Sequence, residues 1–142
     1  MTLKEFISMV ESIAETQPAI NDVVQNDVYK LNELKDAEYS VFAWQQRQHR
    51  EEVDFWLFSF QFFYVDRLTQ DSGNELEVQS IALDILSNII LTIINVGDGE
   101  IELVDLPYYQ PFTQKFKDLC AGAYVTVTFR VPKCLICSEE YL

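Results

Sequence analysis

The chain predicts an α+β fold: an antiparallel sheet of about four strands with two main helices packed on one face. Three observations carry that expectation. Two stretches place apolar residues at helical spacing, and four others alternate or run apolar at strand length. Their order is helix, strand, strand, helix, strand, strand. Sequential strands joined by short polar turns favour antiparallel pairing. At 142 residues the chain is expected to be one domain, 1–142, with 133–142 as a C-terminal tail. A chain of this size buries about 70% of its unfolded surface.

The first helix is set by Thr2 and Glu5, which suit a capping box. Leu3, Phe6, Ile7, Val10, Ile13 and Ala14 then share one stripe. It should fade near Glu15 and Thr16, because Gln17 precedes Pro18. Residues 17–38 are polar and weakly patterned, and read as a long surface connection with a helical turn near Val28 to Leu34. The second helix is expected to begin with another capping box at Asn74 and Glu77 and to run to about Ile94. Val78, Ile81, Ala82, Ile85, Leu86, Ile89 and Ile93 form its stripe, widened by Leu76, Leu83, Ile90 and Ile94. A helix so apolar needs cover over most of its circumference. Gly97-Asp98-Gly99 supplies the stop. Residues 81–96 are too short a run, and too interrupted by Asp84, Asn88 and Asn95, for a membrane span.

The first strand lies within Tyr39–Gln48, with Phe42 and Trp44 on a common face, and HREEVD (49–54) turns the chain. FWLFSFQFFYVDR (55–67) follows as the second strand of a hairpin. Alternation assigns Trp56, Phe58, Phe60, Phe62 and Tyr64 to the core. The opposite set, Phe55, Leu57, Ser59, Gln61, Phe63 and Val65, is mixed rather than a solvent face. Phe55, Leu57, Gln61, Phe63 and Arg67 are therefore the candidate subunit-interface residues. IELVDL (101–106) reads as a short strand ended by Pro107, and YYQPFTQKFKD (108–118) as an aromatic connection. AGAYVTVTFRVP (121–132) is the last strand, with Ala123, Val125, Val127, Phe129 and Val131 inward and Tyr124, Thr126, Thr128 and Arg130 outward.

Charge and composition narrow the function. Ten Lys and Arg against 23 Asp and Glu give −13, which argues against a free-standing nucleic-acid binder and against docking on an anionic membrane. There is no charged-then-apolar leader pattern in MTLKEFISMV, and three cysteines suggest reduced thiols in a cytoplasm. Cys134-Leu-Ile-Cys137 follows a strand and has no second pair, so an unreactive tail is favoured over a redox or zinc site. His49, the only histidine, sits in QRQHREE, where solvation is the simpler reading than triad chemistry. Glu51-Glu52 and Glu139-Glu140 point to opposite faces in extended chain and read as solvated charge. No glycine loop could cradle phosphate. Arg47, Arg50 and Arg67 flank aromatic strands, either snorkelling over apolar surface or serving as interface arginines. No catalytic residue, cofactor or metal is expected.

Two blocks, FFYVDRLTQDSGNELEVQSIALDILSNII (62–90) and YYQPFTQKFKDLCAGAYVTVTFRVP (108–132), resemble small virion proteins of tailed bacteriophages, especially those of gut Bacteroidetes. That family looks like tail-terminator or head–tail connector ring subunits. The resemblance covers roughly residues 39–137 and rests on overall pattern, not on a catalytic signature. It implies a subunit that closes into a homo-oligomeric ring around the DNA channel, between portal-side and tail-side virion proteins. DNA would pass without tight binding. It implies a place in the virion neck or tail after assembly in the bacterial cytoplasm, with no membrane and no catalysis. The alternative is a non-catalytic adaptor that binds one protein through an exposed aromatic strand face.

Overall fold

The central element is the aromatic ribbon itself, and everything else is arranged about it. In the computed structural model, described for residues 1–25, 39–69, 73–115 and 119–134, it is the thirteen-residue strand β4, Phe55–Arg67. Before it come α1 (Leu3–Glu15), β1 (Asp22–Gln25), β2 (Val41–Gln46) and β3 (Arg50–Glu51). After it come α2 (Glu75–Val96), β5 (Glu102–Leu103), β6 (Tyr108–Lys115) and β7 (Leu119–Pro132).

These strands form one sheet in the order β1-β2-β4-β7-β5, with β3 also paired to β4 and β6 also paired to β7. β4 and β7 pair along their full length, from Phe55 opposite Pro132 to Arg67 opposite Cys120. β2 runs antiparallel to β4, with Trp44 opposite Phe62. β1 runs parallel to β2.

The four-stranded antiparallel α+β expectation is thereby corrected. The fold is mixed α/β, with seven strands among the described residues and a parallel pair at one margin. Its order is helix, four strands, helix, three strands. The physical reasons are local. β1, Asp-Val-Val-Gln, lies in a polar stretch with too few residues to show a period, and β3 has only two residues. β6 was expected to be a connection because Pro111 interrupts it. It lies at the sheet margin, where proline is tolerated because no ladder bond is needed from its nitrogen. The helical turn expected near Val28 to Leu34 lies outside the described residues.

Both helices cover the face of Trp56, Phe58, Phe60, Phe62 and Tyr64, and share one core with them. α1 begins with the capping box: the Glu5 amide donates to Thr2 Oγ1 at 3.2 Å and the Thr2 amide to Glu5 Oε1 at 3.4 Å. Its Phe6 is fully buried among Phe58, Phe60 and Phe129, with ring centroids 5.4, 5.6 and 5.3 Å away. α2 lays Val78, Ala82, Ile85, Leu86, Ile89, Ile90 and Ile93 on the sheet. Its expected second capping box is a correction, because Asn74 makes no side-chain cap. The Asn74 Oδ1 instead accepts the Thr69 amide at 2.9 Å, which closes the preceding loop. α2 ends at Val96, where Asp98 and Gly99 take positive φ angles of 49° and 82°. Tyr109 of β6 packs half-buried against the core, and burial raises its phenol above the ordinary 10.0.

Candidate functional site

No helix packs on the other face of the sheet among the described residues, and its two halves differ. At the Val65 end, Ala43, Phe63, Val65 and Cys120 are buried together, flanked by Val24, Tyr39, Phe112 and Tyr124. Phe63 lies 5.5 Å from the Tyr124 ring, and Arg67 stands 4.8 Å over Tyr39. At the Leu57 end the surface turns polar. Gln61 Nε2 donates to Thr126 Oγ1 at 3.2 Å and Thr128 Oγ1 donates to Ser59 Oγ at 3.1 Å.

The five residues chosen from sequence are thus separated. Leu57 is 8% exposed and Phe63 5%, so contacts within one chain already cover both. Phe55 is half-buried beneath Arg130, whose guanidinium lies 3.4 Å from its ring centroid. That guanidinium also pairs with Glu52 and Glu102, at 3.5 and 3.7 Å. Gln61 is half-buried in the polar patch, and only Arg67 is exposed. The apolar excess of β4 is therefore met mostly by β2, β6 and β7 and does not by itself require a neighbour.

What remains open is a cleft of about 630 Å³ on this polar half. Leu57, Ser59, Thr126 and Thr128 border it, and the β2–β3 segment supplies Arg47 and Arg50. Both arginines are exposed, and among the described residues neither makes an ion pair. The charged residues of the lining are these two arginines, in a chain of net charge −13 and with exposed Glu51, Glu52 and Asp54 following on the same segment. The cleft's shape depends on a break in the ladder beside β4. The Arg47 amide donates to the Ser59 carbonyl at 2.8 Å, and the Ser59 amide donates to His49 Nδ1 at 3.1 Å. Solvation of His49 is corrected by this geometry. Its ring lies 5.5 Å from both Phe58 and Phe60, Nε2 meets Gln46 Oε1 at 3.0 Å, and burial lowers its pKa below 6.5.

Across the sheet, beyond β7, the margin has the opposite character. Asp98, Glu100, Glu102 and Asp105 are exposed there, beside Leu106 at 84% and Tyr108 at 87%. Sequence reading missed this margin and the cleft. The alternation of Thr126 and Thr128 was visible, but only the pairing of Thr128 with Ser59 and Thr126 with Gln61 gathers them into a floor.

Other chemistry has little purchase. Among the described residues no three His, Cys, Asp or Glu side chains gather as a metal site. Cys120 is buried and Cys134 exposed, while Cys137 lies outside the described residues. α2 is long and apolar enough to cross a membrane by length and composition, yet its buried stripe is committed to the sheet. Compared with family models and with curated proteins, the chain matches none.

Proposed function

We propose that the chain is a structural subunit of a tailed-bacteriophage virion that assembles with copies of itself into a ring at the neck or tail, around the DNA channel. The observation that carries this reading is the β5–β6 margin, where Leu106 and Tyr108 stand almost wholly in solvent among acids. Exposed apolar side chains grouped with charge favour a protein contact. Full burial of Leu106 contributes ~1.5–3 kcal/mol. The likeness of residues 62–90 and 108–132 to phage ring subunits adds the setting. The charge of −13 suits a wall past which phosphates must slide.

The contact surface is placed differently from the first expectation. Phe63 and Leu57 serve the single chain, and the exposed margins serve the neighbour. Negative-stain electron microscopy of the purified chain and of Leu106→Glu/Tyr108→Glu tests this. Wild-type particles should be rings, and the variant should give none while keeping its circular dichroism. One-to-one complexes with another protein, and no self-assembly, would favour the adaptor reading instead.

A further inference from the structure

The arginines of the cleft and the acidic margin stand at opposite edges of one sheet, and their chemistry is complementary. Arg50 stands opposite Leu57 on β4, Leu57 opposite Arg130 on β7, and Arg130 opposite Glu102 on β5. Three strand spacings of about 4.8 Å separate the two margins, roughly 14 Å in all. On one side are two arginines that make no ion pair among the described residues, above a floor of hydroxyls. On the other are Glu100 and Asp105, with Leu106 projecting beside them. Among the described residues no ion pair joins these arginines to these acids within one chain, and the arrangement gives each copy a socket and a plug.

We propose that the cleft bordered by Arg47 and Arg50 receives residues 100–106 of a second copy. The inference rests on the ring reading and names its contact. Guanidinium groups pair with carboxylates through two parallel hydrogen bonds, and glutamine and hydroxyl groups nearby satisfy what remains. Two different patches meeting head to tail produce a ring or a filament rather than a two-fold dimer. The same polarity explains how subunits of like net charge come together: the local contact is attractive although the whole molecules repel. A second copy is favoured over nucleic acid because the cleft is a small basic patch on a chain of −13, whereas phosphate binding draws on extended positive surface.

Charge reversal tests this on the full chain. Arg47→Glu/Arg50→Glu and Glu100→Lys/Asp105→Lys should each weaken association by roughly tenfold or more. All four sites are exposed, so circular dichroism should remain that of wild type. The chain carrying all four substitutions reverses socket and plug together and should regain assembly, read by sedimentation velocity. Two-site variants that assemble like wild type would overturn this contact while leaving the ring reading intact. Failure of the four-site chain to reassemble would overturn the pairing of these two surfaces. Wild-type protein that never associates would overturn the ring reading itself. A short DNA duplex held by wild type and released by Arg47→Glu/Arg50→Glu would assign the cleft to phosphate and overturn the proposal.

Discussion

Gly122 shows how tightly single positions are specified. It sits opposite Val65 in the β4–β7 ladder, and a Cβ there would be driven into the Tyr64 carbonyl. The obstacle is backbone, which cannot rotate away. Gly122→Ala should therefore cost about 3 kcal/mol, seen as a lower urea midpoint with an unchanged slope. His49 supplies a second test. Its Nδ1 must be unprotonated to accept the Ser59 amide, and burial against Phe58 and Phe60 holds its pKa below 6.5. The folded state therefore binds fewer protons than the unfolded chain in the window below 6.5. Stability from this group is full above that value and is lost as pH falls through the lowered pKa. His49→Gln should flatten the dependence of thermal midpoint on pH between about 7 and 5; an unchanged slope would show that the ring is not coupled to folding.

At the scale of elements, α1 depends on two separate devices. Its cap fixes the start, and Thr2→Ala should cost about 1 kcal/mol. Phe6 fixes the docking, and Phe6→Ala should cost 3–5 kcal/mol, roughly, by emptying the pocket formed with Phe58, Phe60 and Phe129. Equal losses in a denaturation series would mean that the aromatic cluster is not what holds the helix. The elements also show what was legible in sequence. The inward face of β4 could be read because an aromatic falls at every second position from Trp56 to Tyr64. The fate of its outward face could not. Phe63 is covered by Ala43, Cys120, Tyr124 and Phe112, which come from three other strands. That cover depends on register, and register depends on the whole sheet. β1 and β6 were missed for related reasons: one is short and pairs in parallel, and the other carries proline at a margin. One consequence is direct. Phe63→Asp and Phe60→Asp should both unfold the chain, since each places a charge in a dry cluster.

For the whole molecule, the balance between net charge and local contacts decides behaviour. A chain at −13 repels itself when compact, so raising ionic strength from about 0.01 to 0.15 M should raise the thermal midpoint of the monomer by a few degrees. No change would mean that the acids are already neutralised by pairing. The sheet has a helix-covered face that makes the core and a bare face with an arginine-bordered cleft towards one margin and exposed acids with Leu106 and Tyr108 along the other. This asymmetry is what a head-to-tail assembly requires, and it was hidden in a sequence whose most conspicuous residues, the β4 aromatics, turn out to serve the single chain. The sharpest test of self-association is the mass of the purified protein, measured by sedimentation velocity over a wide range of concentration. A self-associating chain should give one discrete oligomer that accumulates as concentration rises; a species that stays monomeric to the highest concentration reached would rule self-association out.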